Sequence, residues 1–89
     1  MNERYRILIR DTVLRDIRKW PRVVVEHLRS RILQLAENPF PPDFEKMQGY
    51  DHVYRIRAGK YRILYRVEKD VLIITVIKIG HRKDIYRQL

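Results

Sequence analysis

The chain is 89 residues long and carries a formal net charge of +9, with 20 lysines and arginines against 11 aspartates and glutamates. This length supports one domain with one modest core, so we expect residues 1–89 to form a single domain whose active site is an open surface cleft. The absence of cysteine excludes disulfides and thiolate metal sites. The excess of positive charge favours an anionic partner, although a generally basic surface would account for it equally well.

Two features of the sequence bear on cellular location. No stretch is apolar for long enough to span a membrane. The N-terminal segment MNERYRILIR also lacks the hydrophobic region of a signal peptide. We therefore expect a soluble, cytoplasmic protein without a membrane partner.

The first half of the chain predicts one strand and two helices. In YRILI, at residues 5–9, alternate side chains are apolar, which is typical of a strand with one face in the core. The following segment, DTVLRDIRKW, changes to a helical period. Pro21 interrupts that helix and can begin a second one, because proline is tolerated in a first helical turn. The second helix is predicted to run to about Glu37 with an apolar stripe at Val25, Leu28, Ile32 and Leu35.

The second half predicts three strands. VYRIRA and YRILYRV flank a short turn at Gly59, and VLIITVIKI follows a second turn at EKD. The last of these runs is apolar at nearly every position, which predicts a central strand covered on both faces. The expected fold is α+β, with two N-terminal helices packed on a four-stranded, mostly antiparallel sheet in the order β-α-α-β-β-β.

Alternation along the two strands around Gly59 groups several arginines. Arg55 and Arg57 are two residues apart and leave the same face of their strand, and Arg62 and Arg66 share a face of the next strand. If the turn pairs these strands, Arg55, Arg57 and Arg62 form one basic surface. Neighbouring guanidiniums repel one another, which favours binding of an anion, although arginines that merely solvate an exposed sheet would show the same spacing.

The segments that carry these residues resemble a known family. YRIRAGKYRILYRV, the preceding KMQGY and the ending KIGHRKDIYR are similar to the RelE branch of the RelE/ParE toxin superfamily. The strongest matches are YRxxY at Tyr61 to Tyr65 and GxRxxxY at Gly80 to Tyr86. The resemblance extends over nearly the whole chain. It implies a toxin of a type II toxin-antitoxin system, silenced by a cognate antitoxin, that cuts messenger RNA in the ribosomal A site.

The resemblance also implies a reaction that needs no metal and no cofactor. In that family the ribose 2′-hydroxyl attacks the adjacent phosphate, which yields a 2′,3′-cyclic phosphate and a 5′-hydroxyl. The matching positions here are Arg55, Arg57, Arg62, Arg82 and Tyr86. By this resemblance Arg62 would clamp the phosphate, Arg82 would stabilise the transition state or assist the leaving group, and Tyr86 would stack on a base or hold the nucleophile.

One departure from the family concerns the general base. Arg55 and Arg57 occupy positions that are lysines in the best-known members, and a guanidinium does not readily lose its proton. Both are therefore expected to act as electrostatic stabilisers. His81, beside Arg82, is a candidate base because an imidazole can accept a proton near neutral pH. Tyr86 is the other candidate, and the alternative for His81 is an exposed residue at a strand end.

Two further functions stay open. A ParE-like inhibitor of DNA gyrase would share the fold without using Arg82 and Tyr86 for RNA cleavage. A noncatalytic nucleic-acid-binding domain would need only the net charge. His27 and His52 have no partner at a ligand spacing, so no metal site is expected.

Overall fold

The computed structural model describes residues 4–81 and places two helices on one face of a five-stranded sheet. The elements follow one another as β1 (Arg6–Ile9), α1 (Asp11–Ile17), α2 (Arg22–Glu37), β2 (Glu45–Lys46), β3 (Val53–Ala58), β4 (Tyr61–Glu68) and β5 (Ile73–His81). The predicted α+β class is confirmed. Arg82 and Tyr86 lie outside the described residues, so their roles stay predictions.

The strand order in the sheet is β1-β5-β4-β3-β2. β1 runs parallel to β5, and the other neighbouring strands are antiparallel. The prediction of four strands was short by one, because β2 has only two residues and shows no alternation of its own. It exists through its pairing with β3, where Glu45 lies opposite Arg55 and Lys46 opposite Tyr54.

The helices end and begin close to the predicted residues. α1 stops at Ile17, Pro21 is the N-cap of α2, and α2 ends at Glu37. Trp20 lies beyond α1 and packs its ring on Tyr61, with ring centroids 5.0 Å apart. The break at Pro21 therefore separates a helix of 7 residues from one of 16 residues. No helix in residues 4–81 is long and apolar enough to cross a membrane.

The main core lies between the helices and the sheet. Three of the four predicted stripe residues of α2, Leu28, Ile32 and Leu35, are buried in one cluster with Ile63 and Val76 of the sheet. The fourth, Val25, is only half-buried. Burying each aliphatic side chain of this size contributes about 1.5–3 kcal/mol. Packing of this stripe therefore fixes which face of the sheet the helices cover.

A buried tyrosine ties the core to the segment after α2. The hydroxyl of Tyr65 donates a hydrogen bond of 2.7 Å to the carbonyl oxygen of Pro39. Burial raises the pKa of Tyr65, and the negative charge of Asp43 raises it further. The phenol is therefore held as a neutral hydrogen-bond donor, which satisfies a polar group inside the core.

β5 differs from its prediction in two ways. It lies inside the sheet as expected, but only the face toward the helices is fully buried, while Ile73, Thr75 and Ile77 on the other face are half-buried. The strand also begins at Ile73, two residues later than the apolar run suggests. Leu72 has a φ of 56° and belongs to the turn. A left-handed residue does not fit the extended ladder.

The face of the sheet turned away from the helices, here called the open face, has a small apolar cluster of its own. Met47, Val53, Leu64 and Ile77 pack together there. Ile77 lies on this face by ordinary alternation with Val76. The β4–β5 pairing shifts directly after it: Tyr65 lies opposite Val76, whereas Leu64 lies opposite Lys78. This extra residue in β5 is a β-bulge, and it changes which side chains beyond it face the helices.

Candidate active site

The centre of the candidate site is a pair of arginines facing each other on the open face. Arg57 of β3 and Arg62 of β4 are directly paired in the antiparallel ladder. Side chains at such positions have Cβ atoms about 5 Å apart. The strands are joined by Gly59 and Lys60, and Gly59 has a φ of 62°, as the first central position of a type II′ turn requires. The hairpin therefore brings together the two arginines that the sequence grouped.

Arg55 lies in the next row of the open face. It is paired with Leu64, which is paired in turn with Lys78 of β5. One guanidinium nitrogen of Arg55, Nη2, lies 2.6 Å from Oε2 of Glu45 in the neighbouring strand β2. The Glu45 carboxylate offsets part of the positive charge at Arg55. Arg55, Arg57 and Arg62 are called the arginine cluster below.

Arg62 is the half-buried member of the central pair. Its Nη1 donates a hydrogen bond of 3.2 Å to the carbonyl oxygen of Tyr61. A guanidinium has five N–H donors, so this bond leaves several for a ligand. On the other side Arg62 lies opposite Gly80, which has no side chain to cover the guanidinium. The arrangement suits a phosphate held by two parallel hydrogen bonds.

The backbone of Arg57 is held by an ion pair from outside the sheet, here called the Arg31–Asp43 clamp. Both nitrogen–oxygen contacts between Arg31 Nη2 and the Asp43 carboxylate are 2.9 Å long. Asp43 Oδ2 accepts a hydrogen bond of 3.2 Å from the Arg57 N–H, and Arg31 Nε donates one of 3.0 Å to the Arg57 carbonyl oxygen. The clamp therefore satisfies both backbone groups of Arg57 on the side where β2 no longer pairs.

The charge of Asp43 follows from the same contacts. Burial tends to raise the pKa of Asp43, but hydrogen bonds from the Arg57 N–H and from Arg31, together with the positive charge of Arg31, outweigh it. The net result is a pKa below the ordinary value of 3.8. Asp43 is therefore ionised at neutral pH and keeps the clamp closed.

His81 lies on the other face of the sheet. It is paired with Tyr61, and the centroids of the two rings are 6.1 Å apart. Tyr61 packs against the main core, so the imidazole of His81 faces the helix side. The bulge in β5 causes this placement, because without the extra residue His81 would share a face with Arg62. The structure does not bring His81 together with the arginine cluster.

Other residues reach the open face that the sequence did not single out as site residues. Lys78 lies there because of the bulge, and its only sequence signal is a lysine inside a long apolar run. Arg66 lies one row further along, opposite Val53 and Thr75. Within residues 4–81 no group of histidines and carboxylates is arranged to hold a metal ion.

Comparisons with known proteins find relatives along nearly the whole chain. A family model for the ParE toxin of the type II toxin-antitoxin system parDE matches residues 4–86. Toxin RelE3 of Methanocaldococcus jannaschii is 34% identical over 89 residues, covering 91% of this chain and 94% of that protein. The mRNA interferase toxin RelE of Escherichia coli is 28% identical over 75 residues, covering 82% and 78%.

A solved structure of a related complex shares the fold. The toxin chain in the archaeal RelE–RelB complex from Pyrococcus horikoshii matches with a TM-score of 0.79 at 26% identity. The match covers 92% of this chain and 97% of that one. The order of helices and strands described above is therefore that of a toxin solved together with its antitoxin.

Proposed function

This chain belongs to the RelE/ParE toxin superfamily as a RelE-family toxin of the type II toxin-antitoxin class, and we propose that it is an endoribonuclease that cuts messenger RNA in the ribosomal A site. The observation that carries the proposal is the direct pairing of Arg57 and Arg62 on an open face. Two guanidiniums at this spacing suit the phosphorane formed when RNA is cleaved by its own 2′-hydroxyl. Similarity to the mRNA interferase toxin of Escherichia coli supports the same substrate.

The proposed reaction needs no metal. The 2′-oxygen forms a bond to phosphorus while the bond from phosphorus to the 5′-oxygen breaks, leaving a 2′,3′-cyclic phosphate and a 5′-hydroxyl. One proton leaves the 2′-hydroxyl and one is delivered to the 5′-oxygen. Arg62 holds the phosphate, and Arg57 stabilises the extra negative charge of the transition state. Arg55 stabilises this charge more weakly, because the Glu45 carboxylate offsets part of the positive charge of its guanidinium.

The remaining roles fall on residues close to the end of the chain. Following the family resemblance, Arg82 stabilises the transition state or assists the leaving group. Tyr86 stacks on a base or holds the nucleophile. Tyr86 is also the better candidate for the general base, because the His81 imidazole packs with Tyr61 on the opposite face of the sheet from the arginine cluster.

We further propose a cognate antitoxin and the ribosome as partners. The Pyrococcus horikoshii relative was solved in complex with its antitoxin RelB. An acidic segment of an antitoxin would complement the net charge of +9. The same charge favours association with the RNA of a ribosome that carries messenger RNA in its A site. Action on ribosomes places the toxin in the cytoplasm.

A second candidate function is inhibition of DNA gyrase, which is favoured by the ParE description of the matching family model. That activity has no need for a phosphate clamp at Arg62. Noncatalytic binding of nucleic acid, the third alternative, would depend on charge alone. An RNA cleavage assay separates the ribonuclease from the other two candidates, and a gyrase supercoiling assay separates those two from each other.

Arg62→Ala is expected to abolish A-site cleavage. Removing one group that stabilises a transition-state oxyanion costs about 10²- to 10³-fold in rate. The measurement is primer extension on a translated messenger RNA in a reconstituted system, with Arg82→Ala and Tyr86→Phe in parallel. Arg29→Ala, an exposed arginine on α2, is the charge-matched control and should cut normally. His81→Ala should also keep most of the cleavage.

Two results would contradict this assignment. Equal loss of cleavage in the Arg62→Ala and Arg29→Ala variants would mean that net charge, and not the cluster, is responsible. Absence of any cut by the wild type while translation continues normally would contradict the proposed ribonuclease activity. A gyrase supercoiling assay would then test the second candidate.

A further inference from the structure

Besides the arginine cluster, a cationic groove lies at the edge of the open face, where α1 passes beside β5. It has a volume of about 580 Å³, and four of its lining side chains are basic: Arg10, Arg15, Arg66 and Lys78. Among the ion pairs formed by residues 4–81, none involves Arg10, Arg15 or Arg66. The cleft lined by Arg10, Arg15, Arg66 and Lys78 is called the α1 groove below.

The end of β1 creates this groove. β1 pairs with β5 only as far as Val76, whose carbonyl oxygen still accepts a hydrogen bond of 3.2 Å from the N–H of Arg10. α1 then begins at Asp11 and passes beside the part of β5 that lies beyond its pairing with β1. Arg10 and Arg15 are thereby set against Arg66 and Lys78 across a cleft.

The α1 groove lies close to the arginine cluster, on the same side of the sheet. Lys78 lies in one cross-strand row with Leu64 and Arg55. Two strand spacings separate Lys78 from Arg55, which is about 10 Å. A linear polyanion held at the cluster can therefore continue into the groove without leaving the protein surface.

Two other side chains in the groove refine the expected ligand. Tyr50, which is 41% exposed, lines the cleft and offers an aromatic ring on which a base can stack. Asp16 also lines it and reduces the positive charge without cancelling it. A cleft lined by cations beside an exposed aromatic ring is a combination by which proteins hold single-stranded nucleic acid.

We propose that the α1 groove binds the single RNA strand that flanks the scissile phosphate, with its phosphates on the four basic residues and one base on Tyr50. This inference rests on the proposed function, because it names the path of that substrate. It assigns Arg10, Arg15, Arg66 and Lys78 to substrate binding and not to the chemical step. Loss of the groove therefore weakens binding while the cutting step itself is preserved.

The test compares two variants that lose the same charge. Arg15→Ala/Arg66→Ala removes one cation from each wall of the groove. Arg22→Ala/Arg29→Ala removes two exposed arginines of α2, which packs on the other face of the sheet. The probe is a fluorescent 2′-O-methylated oligoribonucleotide of about ten nucleotides, which spans a typical single-strand site and cannot be cut. Binding is followed by fluorescence anisotropy over a range of salt concentrations, and thermal unfolding verifies that both variants fold.

The groove variant is expected to bind at least about ten-fold more weakly and to lower the slope of log K against log salt by about 1.4, since each phosphate contact to a single strand contributes about 0.7. The α2 variant should keep the wild-type slope. Equal changes in both variants would overturn the inference, because only net charge would then matter. It would also be overturned if the groove variant bound RNA normally but lost affinity for an acidic peptide.

Cleavage is measured separately, so the two proposals fail in different ways. If the wild type cuts and the groove variant keeps the wild-type salt slope, RNA binding in the groove is contradicted, whereas the proposed ribonuclease activity stands. A wild type that makes no cuts but shows the groove-dependent slope overturns the ribonuclease and keeps the groove as a nucleic-acid site. On programmed ribosomes the groove variant should show a raised KM with kcat preserved.

Discussion

At the scale of single residues, Arg57 and Arg62 form an unfavourable pair in the free protein. They lie directly opposite each other in the hairpin, and among residues 4–81 no carboxylate forms an ion pair with either guanidinium. Like charges at such positions destabilise a sheet by roughly 0.2–1 kcal/mol. A bound phosphate reverses the sign of this interaction, because each guanidinium then faces an anion. The pair therefore lowers the stability of the free protein and favours the binding of an anion.

Arg57→Gln is expected to raise the free energy of unfolding by about 0.5 kcal/mol, because it removes the repulsion across the hairpin. The same substitution should lower RNA cleavage. Urea unfolding measures the first effect and primer extension the second. Arg29→Gln is the control, since it removes one charge from α2 without changing a cross-strand pair.

One outcome would contradict the predicted effect of Arg57→Gln. If Arg29→Gln stabilises the protein as much as Arg57→Gln, relief of the net charge explains the gain. The direct pairing would then make no separate contribution.

At the scale of elements, the Arg31–Asp43 clamp joins α2, the segment that follows it and β3. β2 pairs with only two residues of β3, at Tyr54 and Arg55. Beyond them, Asp43 and Arg31 take over the backbone groups of Arg57 that a longer β2 would have paired. The position of a proposed catalytic side chain thus depends on a helix and a connecting segment as well as on its own hairpin.

Asp43→Asn is expected to lower the free energy of unfolding at neutral pH by about 1 kcal/mol, because charge-assisted hydrogen bonds become neutral ones. The loss is no larger because Asp43 is partly exposed and solvent screens its charge. The pKa of Asp43 is lower in the folded protein than its ordinary 3.8. Its ionised form therefore stabilises the fold above about pH 3.8, and that contribution is lost as the pH falls below this value through the folded pKa. The difference between wild type and variant should shrink accordingly.

Urea unfolding at neutral pH and at a pH below the folded pKa of Asp43 provides the measurement. Glu26→Gln, an exposed substitution on α2, is the control and should change stability little at neutral pH. A difference between wild type and Asp43→Asn that stays constant across this pH range would mean that the charge of Asp43 does not support the clamp.

At the scale of the whole molecule, seven basic side chains within residues 4–81 lie on or beside the open face. The arginine cluster and the α1 groove lie on the same side of the sheet, joined through Lys78. Glu45 partly offsets this charge at one edge. Such a surface attracts polyanions over distances comparable to the Debye length, about 8 Å at physiological salt. Association with RNA should therefore be steered toward this side.

Millimolar sulfate is expected to raise the melting temperature more than chloride at equal ionic strength. A ligand that binds only the folded state stabilises it by mass action, by roughly 1.4 kcal/mol at ten times its Kd. Differential scanning calorimetry measures the effect. In Arg57→Gln/Arg62→Gln the advantage of sulfate over chloride should disappear, whereas in Arg22→Gln/Arg29→Gln it should persist. An advantage that survives in the first variant would locate the anion elsewhere.

Much of the site could be predicted from sequence, because the signals are local. Residues two apart in a strand share a face, so Arg55 and Arg57 had to lie together. Gly59 supplies the positive φ that a two-residue hairpin needs, and this hairpin places Arg62 opposite Arg57. Pro21 separates the helices for an equally local reason, since its ring cannot continue the first helix.

Other features were decided only by tertiary structure. The bulge in β5 depends on how that strand meets β4, and it moves Lys78 to the open face and His81 to the helix side. β2 exists only through its pairing with β3, and the α1 groove arises where β1 ends beside a longer β5. The amino-acid order alone specifies both helices, four of the five strands and the faces of the arginine-bearing strands, because side-chain periodicity is a property of a single element. Register and cleft shape belong to pairs of elements, so only the folded chain could decide them.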